Sequence, residues 1–325
     1  MIYLNLFFGL ILLLIGAHYL IGNIIDLAKK LNVSQFIIAT CTIAIGTSLP
    51  ELGATIKSVA SDHSGIAVGN LVGSNIANIF LVIGLSSIIY PIKALPETSG
   101  DVFKVEAIAG IFIFLFPATI FFLKLDGFDS ILVSLLAIIL FFYFFNQRLI
   151  EDKRLEKLKY EKISNIKETT FILILKNILF LAMLIIGSHL LIKYAVELAQ
   201  IYNISERVMG LSLVAIGTSL PELIICIAAA LKQRQGIALG TVLGSNMYNI
   251  LVMLSLVEIY ENTGGGNGAI LGNAKPGDML FLALSTLLLY IFYIYPTKKP
   301  KVIDRKEGSI LCVLYIAYIY WVFAT

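Results

Sequence analysis

Charged side chains are scarce in this chain. Asp, Glu, Lys and Arg together make up 14% of its 325 residues, whereas hydrophobic residues make up 58%. A soluble domain must cover its surface with polar groups, and this composition supplies too few of them. The sequence therefore predicts an integral membrane protein whose surroundings are the lipid bilayer, and it gives no indication of nucleic acid as a partner.

Cysteine and histidine are also rare, with three residues of each. Cys41, Cys226 and Cys312 lie far apart in apolar stretches, without a CxxC pair and without a cluster of cysteine and histidine. Because disulfide frameworks and zinc sites need such clusters, we interpret the cysteines as small buried hydrophobic residues. No nucleophile–base pair or cofactor motif is legible. The sequence therefore predicts no enzyme, no cofactor and no obligate protein partner.

The apolar residues form blocks close to the roughly 20 residues with which a helix crosses a bilayer. The first block, Leu4 to Ile21, lacks a small-residue cleavage site and is soon followed by another block, so we interpret it as a helix and not as a signal peptide. The blocks predict an all-α membrane protein with about ten transmembrane helices. The spans are expected at about residues 2–22, 36–60, 66–90, 105–123, 130–146, 170–190, 207–230, 236–258, 279–295 and 309–324.

Lysine and arginine are concentrated in residues 147–169, between the fifth and sixth spans, and in residues 298–306. Short loops that are rich in Lys and Arg stay on the cytoplasmic side of the membrane. We therefore expect residues 147–169 to form a basic cytoplasmic linker and both termini to be extracytoplasmic, in a multi-pass protein of the cell (inner) membrane. A regulatory or lipid-binding role of the linker is the alternative to a simple solvated connection.

One nine-residue segment occurs twice in the chain. Residues 44–52 and 215–223 both read AIGTSLPEL, 171 residues apart. The same offset relates the segment GSN at residues 73–75 to GSN at residues 244–246. One gapless offset across several predicted helices indicates an internal duplication.

The duplication divides the chain into two halves. We predict a first five-helix repeat at residues 1–146, with its motif at 44–79, and a second at residues 170–325, with its motif at 215–250. Because five crossings is an odd number, the second repeat must enter the membrane upside down. Inverted repeats recur in secondary transporters, whose substrate sites lie near the midplane where the repeats meet.

Each AIGTSLPEL segment places a glutamate, Glu51 or Glu222, deep inside an apolar span. At that depth a charged side chain costs at least about 2.5 kcal/mol and needs a partner or a water-filled cavity. The preceding residue, Pro50 or Pro221, removes a backbone donor and so predicts a broken helix with freed carbonyls at the midplane. Carboxylate, hydroxyl and carbonyl oxygens suit hard cations such as calcium or sodium. The alternative is a capping box in which Ser48 and Glu51 restart the helix.

Small and polar residues follow in the third and eighth spans. Both spans carry glycine at every fourth position before the GSN segment, and we interpret these glycines as packing positions for close helices. Ser74 and Asn78, four residues apart on one helix face, are expected to be directed at the broken helix. His18 and His189 occupy matching positions in the two halves. They are either proton-relay groups or ordinary polar contacts between helices.

The paired GTSLPEL segments and the GSN-x-x-N segments resemble the two alpha-repeats of the sodium/calcium exchanger family, within the calcium/cation antiporters. The resemblance covers the whole membrane chain and is to the compact prokaryotic type. It implies a secondary active antiporter that exchanges sodium for calcium by alternating access, with both ions bound as substrates. It also implies that the first and sixth helices slide to expose the ions to either side.

The resemblance further implies a set of ion ligands drawn from both repeats. These ligands are Ala44, Thr47, Ser48, Glu51, Ser74 and Asn78 in the first repeat and Ala215, Thr218, Ser219, Glu222, Ser245 and Asn249 in the second. Many members carry aspartate where this chain has Asn249, and Thr241 stands where the first repeat has Asn70. These two differences leave the coupling ion open.

The nearest alternative function is a proton-coupled or potassium-dependent calcium/cation antiporter. The GTSLPE core favours the sodium-coupled branch, because the proton-coupled branch usually carries a GNA-x-E core. A cation channel is an alternative of a different class. A channel would normally lack inverted halves and would conduct ions without a counter-ion.

The loop charges predict that Lys157 faces the cytoplasm and that Lys275 lies on the opposite side. In a variant without the native cysteines, we expect Lys157→Cys to react with an impermeant thiol reagent only after the membrane is permeabilised. Lys275→Cys should react from outside in intact cells. Reaction of Lys157→Cys from outside would overturn the predicted orientation.

Overall fold

Helices make up nearly all of the described structure, a computed structural model that covers residues 2–60, 64–93, 100–157, 166, 168–202, 215–265, 271, 274–294 and 302–324. The α-helices are α1 Ile2–Leu31, α2 Gln35–Ile38, α3 Ala44–Thr47, α4 Leu49–Ala60, α5 Ser64–Ala77, α6 Gly84–Ile89, α7 Gly100–Leu123, α8 Gly127–Lys157, α9 Thr170–Ile201, α10 Ala215–Thr218, α11 Leu220–Leu231, α12 Gln235–Met247, α13 Ser255–Tyr260, α14 Pro276–Ile294 and α15 Arg305–Ala324. Short π-helical stretches at Ala39–Ile43, Asn78–Ile83, Tyr248–Leu254 and Glu261–Gly265 continue α2, α5, α12 and α13. Two short strands, β1 Ile92–Lys93 and β2 Val302–Ile303, pair antiparallel.

Six of the described helical segments are long and apolar enough to cross a membrane. They are Ile2–Leu31, Gln35–Ile56, Ala67–Ile89, Gly127–Ile150, Thr170–Tyr194 and Gln235–Thr263. Shorter apolar helices within α7, α11 and α14, together with α15, occupy the remaining predicted spans. The prediction of an all-α membrane protein is confirmed. Residues 207–214 of the seventh predicted span lie outside the described residues.

Several helices continue beyond the predicted ends of their spans. α1, α8 and α9 were expected to end near residues 22, 146 and 190, and they end at Leu31, Lys157 and Ile201. Hydropathy marks the apolar part of a span, whereas the backbone hydrogen bonds of a helix continue into the polar layer beyond it. α8 therefore includes the first residues of the basic linker, and residues 158–165 and 167 of the linker lie outside the described part of the chain.

Both AIGTSLPEL segments form helices that are interrupted at a single serine. Ser48 separates α3 from α4 with φ −84° and ψ 5°, and Ser219 separates α10 from α11 with φ −87° and ψ 6°. These ψ angles depart from the helical value near −42°. The proline two residues later lacks the N–H that would continue the helical ladder. The predicted helix breaks are therefore confirmed, and the two repeats break in the same geometry.

The α1–α9 pair is the most extensive helix contact in the described structure. A Cβ added at Gly187 would lie 2.7 Å from the Gly9 carbonyl oxygen and 2.9 Å from the Leu13 backbone nitrogen, and one added at Gly9 would lie 2.9 Å from the Gly187 carbonyl oxygen. The two backbones therefore touch without intervening side chains, as small residues allow in membrane helices.

Polar side chains on α1 and α9 have different surroundings. Asn23 Nδ2 donates to Asn177 Oδ1 at 2.6 Å and to the Leu173 carbonyl at 2.7 Å, in a buried contact between the two helices. His18 and His189 are both exposed on the outside of these helices. Their position does not favour a proton relay through the protein interior.

The glycines of α12 pack against the first repeat. A Cβ added at Gly240 would lie 2.5 Å from the Phe36 carbonyl oxygen, and one at Gly244 would lie 2.7 Å from the Ala44 Cβ and 3.0 Å from Thr40. Thr40 Oγ1 donates to the Gly240 carbonyl at 3.1 Å. The packing role predicted for these glycines is confirmed in the second repeat. The close contact brings α12 alongside α3.

The Gly9–Gly187 contact predicts a strong effect of one added methyl group. We expect Gly187→Ala to lower the Tm of the purified protein, because the methyl group meets backbone atoms that cannot rotate away; the expected loss is about 1–3 kcal/mol. Gly22→Ala on α1 is the matched control, since a Cβ there meets nothing within 4 Å. Alanine favours the helix over glycine, so Gly22→Ala should leave the Tm equal or higher. Equal Tm values for the two variants would contradict the close contact.

Candidate ion-binding site

The two helix breaks meet in the interior of the protein. Glu51 follows the first break and Glu222 follows the second, and each side chain is only 1% exposed. α11, which carries Glu222, packs against α3 of the first repeat. The fold therefore brings together two acidic residues that are 171 positions apart in the sequence.

Nearly all of the other predicted ligands are buried as well. Their exposed fractions do not exceed 6%. This applies to Ala44, Thr47, Ser48, Ser74, Asn78, Thr218, Ser219, Ser245 and Asn249. Ala215 is the first residue of α10, and its side chain is outside the described part of the structure.

Ser245 connects the two repeats at this site. Its Oγ lies 3.4 Å from the Ala44 carbonyl oxygen and 3.4 Å from Glu222 Oε1, so one hydroxyl proton is shared between two acceptors. In the first repeat, Thr47 Oγ1 donates to the Ile43 carbonyl at 2.9 Å. The Ser245 hydroxyl thus lies within hydrogen-bonding distance of both a carboxylate of the second repeat and a backbone carbonyl of the first.

The asparagines of α5, α12 and the following π-helical stretches form a second set of contacts. Asn78 Nδ2 donates to Asn246 Oδ1 at 3.0 Å, and Asn246 Nδ2 donates to the Asn75 carbonyl at 3.3 Å. Asn70 Nδ2 donates to the Glu51 carbonyl at 3.1 Å. Asn246 was not among the site residues predicted from the sequence. Its match to Asn75 in the repeated GSN segment was the available signal, but a repeated position alone does not reveal a hydrogen-bond partner.

Two of the π-helical stretches begin at or next to predicted ligands. One starts at Asn78, and the other starts at Tyr248 and contains Asn249. π-helical turns are rare and are frequently found at functional sites. The wider turn shifts the side chains of these asparagines relative to a regular α-helix. This irregularity was not predicted from the sequence, because no residue type specifies a π turn.

Many polar atoms at the site have no hydrogen-bond partner among the described residues. They are Ser48 Oγ, Glu51 Oε2, Asn78 Oδ1, Ser219 Oγ, Glu222 Oε2, Asn249 Oδ1 and Asn249 Nδ2. Buried polar groups are normally paired, and leaving one unpaired costs about 1–3 kcal/mol. Six of these seven atoms are oxygens. This donor set fits a hard cation, since calcium takes six to eight oxygen ligands and sodium also prefers oxygen.

The capping-box alternative does not account for the two serines. Ser219 is the N-cap of α11, but its side chain makes no capping hydrogen bond. Ser48 Oγ likewise has no partner in the described part of the chain. The hydroxyls therefore remain available to a ligand.

Comparison with known proteins identifies the family. The family described as sodium/calcium exchanger protein matches residues 1–146 and 172–324. The chain belongs to the sodium/calcium exchanger family. The sodium/calcium exchanger MaX1 of Methanosarcina acetivorans is 31% identical to this chain, over 98% of the chain and 97% of that relative.

Solved structures of the sodium-calcium exchanger NCX_Mj have the same fold as this exchanger-family chain. One of them, soaked with 10 mM Na+ and zero Ca2+, has a TM-score of 0.80 and 30% identity, and the match covers 98% of this chain and 99% of that chain. Sodium/potassium/calcium exchanger 1 of Bos taurus is 31% identical over 128 residues, which is 39% of this chain and 10% of that relative. The likeness to this sodium/potassium/calcium exchanger is therefore confined to a part of both proteins.

The two buried glutamates predict how calcium affects stability. Calcium that binds only the folded protein raises its Tm. We expect Glu51→Gln and Glu222→Gln to abolish this rise, because each removes one of the two formal charges at the site. Glu258→Gln is the matched control: Glu258 is also fully buried, but it accepts hydrogen bonds from Ser130 Oγ at 3.0 Å and the Leu271 backbone nitrogen at 2.7 Å.

The control separates loss of binding from loss of stability. Glu258→Gln is expected to lower the Tm without calcium and to keep the calcium-dependent rise. An undiminished rise in Glu51→Gln or Glu222→Gln would show that the affected carboxylate is not a calcium ligand.

Proposed function

We propose that this protein is a secondary active antiporter that exchanges sodium for calcium across the cell membrane by alternating access. The observation that carries the proposal is the pair of buried glutamates at the meeting point of two broken helices. Buried carboxylates at such a place mark ion pathways in membrane proteins. The ions are transported substrates, and no cofactor or obligate protein partner takes part.

The charge of the site explains a preference for calcium over a monovalent ion. Glu51 and Glu222 supply two formal negative charges when both are ionised, and one calcium ion balances them. The neutral ligands proposed beside them are the Thr47 and Thr218 oxygens and the Asn78 carbonyl oxygen, together with the other predicted hydroxyls and carbonyls. These oxygens replace the water that calcium loses on entering the membrane.

Competition for the two carboxylates explains how the ions are coupled. Sodium ions that occupy the site neutralise the same charges as calcium, so calcium and sodium exclude one another. Two sodium ions balance the carboxylates, and any further sodium must be held by neutral dipoles such as the Ser74 and Ser245 hydroxyls. Without a cation, two like charges remain in a medium of low dielectric constant, which is strongly unfavourable. The protein therefore changes its access side with ions bound, and this yields exchange.

The proposed orientation follows from the loops and not from the site. We place both termini on the extracytoplasmic side of the cell (inner) membrane and the basic linker on the cytoplasmic side. The inverted relation of the two five-helix repeats is part of the same proposal. It would let the access path from one side of the membrane open as the path from the other side closes. Both paths would lead to the site between the two repeats.

Asn249 argues against potassium dependence. A potassium site that needs a carboxylate at this position cannot form when the residue is an amide. The partial match to the bovine sodium/potassium/calcium exchanger keeps potassium dependence as the second candidate. A proton-coupled antiporter and a cation channel are the other outcomes that the transport assay distinguishes.

Sodium/calcium exchange can be measured with the purified protein in liposomes. We expect radiolabelled calcium to enter sodium-loaded proteoliposomes when external sodium is absent, and equally fast when potassium is replaced by choline. The reason is that Glu51, Glu222 and neutral oxygens complete the site without a further charge. Initial rates of calcium uptake measure this directly.

Two controls make the result specific, and two outcomes would contradict the proposal. Liposomes with sodium on both sides should take up little calcium, and Glu51→Gln should be inactive under the same gradient. A strict potassium requirement would mean that the charge missing at Asn249 is supplied elsewhere. Calcium uptake that is indifferent to the sodium gradient would instead favour a proton-coupled antiporter or a channel.

A further inference from the structure

The amide of Asn78 is held in one orientation by the second repeat. Its Nδ2 donates to Asn246 Oδ1 at 3.0 Å, and both side chains are only 1% exposed. The two ends of an asparagine amide differ: the nitrogen donates, and the oxygen accepts. Because the nitrogen is engaged with Asn246, the carbonyl oxygen is turned away from it. That oxygen, Oδ1, has no hydrogen-bond partner among the described residues.

The orientation matters because a cation distinguishes the two ends of the amide. A carbonyl oxygen attracts a cation, whereas an amide NH2 presents hydrogens that repel it. The two ends have nearly the same size, so packing alone does not select between them. The hydrogen bond to Asn246 is the interaction that selects the oxygen.

Asn246 is itself held in position by the backbone. Its Nδ2 donates to the Asn75 carbonyl at 3.3 Å. A backbone carbonyl can only accept a hydrogen bond, so the amide nitrogen of Asn246, and not its oxygen, must face α5. The oxygen end of Asn246 is then directed to Asn78. The Asn75 carbonyl thus fixes the orientation of the Asn246 amide, and Asn246 in turn fixes the orientation of the Asn78 amide.

The matching residues in the other half do not form such a chain. Asn75 is the counterpart of Asn246, and its Nδ2 donates to the Leu71 carbonyl within its own helix at 2.8 Å. Asn249 is the counterpart of Asn78, and neither of its side-chain polar atoms has a partner in the described part of the structure. The orienting contact is therefore made for one of the two asparagines that the family resemblance assigns as ligands.

We propose that Asn246 is a positioning residue for ion binding, which holds Asn78 with its carbonyl oxygen toward the bound cation. The inference rests on the proposed exchange function, since Asn78 is a ligand only in that proposal. Asn246 acts through Asn78 and does not itself touch the ion.

The first test compares the two repeat-related asparagines in the calcium uptake assay. We expect Asn246→Ala to raise the KM for calcium about tenfold, because Asn78 loses its orienting acceptor, and to leave kcat nearly unchanged. Asn75→Ala is the matched control, with the same residue type, the same place in the GSN segment and full burial. It should change the KM by less than about twofold, since its side chain bonds only within α5.

The second test removes the need for orientation. A carboxylate presents oxygen at both ends, so Asn78→Asp does not depend on which way the group is turned. In the Asn78→Asp background, we expect Asn246→Ala to leave the KM unchanged or to lower it relative to Asn78→Asp alone, because Asn246 Oδ1 then faces a carboxylate oxygen and has no donor to orient. A merely structural role of Asn246 would raise the KM equally in both backgrounds.

A folding defect is separated from the positioning effect by a second variant and a second readout. Asn246→Leu keeps the branched shape of the side chain and also removes the acceptor, so it should reproduce the rise in KM. The calcium-dependent rise in Tm of the purified variants reports binding without transport. For Asn246→Ala this rise should need about tenfold more calcium than in the original protein.

Two results would overturn the proposal. One is an equal effect of Asn246→Ala and Asn75→Ala on calcium affinity. The other is an unchanged effect of Asn246→Ala in the Asn78→Asp background. If the original protein shows no sodium-dependent calcium uptake, the proposed function fails. The calcium titration of Tm then still decides whether Asn246 orients Asn78.

Discussion

The burial of two carboxylates, one from each repeat, is the constraint on which the architecture of this protein depends. Glu51 and Glu222 are each only 1% exposed. In a medium of low dielectric constant, such a pair is unfavourable unless a cation or hydrogen-bond donors offset it. At the helix breaks, the hydroxyls of Ser48 and Ser219 have no hydrogen-bond partner among the described residues. The helix breaks therefore supply hydroxyl oxygens in the same chain segments that carry the two carboxylates.

The two repeats share a backbone geometry but not a hydrogen-bond pattern. The breaks at Ser48 and Ser219 differ by only a few degrees in φ and ψ. Asn70, however, donates to the Glu51 carbonyl, whereas its counterpart Thr241 donates to the Ile237 carbonyl of its own helix. The repeated segments thus have the same backbone geometry, and the residues that differ between them make the two sides of the site chemically different. In the first repeat Asn70 bonds to the neighbouring segment that carries Glu51, whereas Thr241 in the second repeat bonds within its own helix.

The sequence predicts those parts of the structure that depend on a local property of the chain, such as a run of apolar residues or a proline. The apolar blocks predict helices, and Pro50 and Pro221 predict the breaks. The repeated motif predicts that Glu51 and Glu222 meet. The helix ends at Lys157 and Ile201 are not marked by such a local property, since a helix does not stop where hydropathy falls. The role inferred for Asn246 depends on which atoms of Asn78 and Asn75 it reaches, and this requires the packed structure.

The contact between α1 and α9 determines which interactions must change if α1 is displaced along its axis relative to α9. At Gly9 and Gly187 the backbones touch directly, and elsewhere in the interface side chains interlock: the Tyr19 ring stacks on Phe180 with centroids 5.6 Å apart, and a Cβ at Gly16 would lie 3.2 Å from Leu184 Cγ. The buried Asn23–Asn177 hydrogen bond is a specific polar contact that also depends on the axial register of the two helices. Moving α1 along α9 would therefore require the exchange of this amide contact and of the Tyr19–Phe180 stack. These two contacts and the Gly9 crossing are spread over about 20 Å of α1, so the helix could be displaced only if all three were remade together.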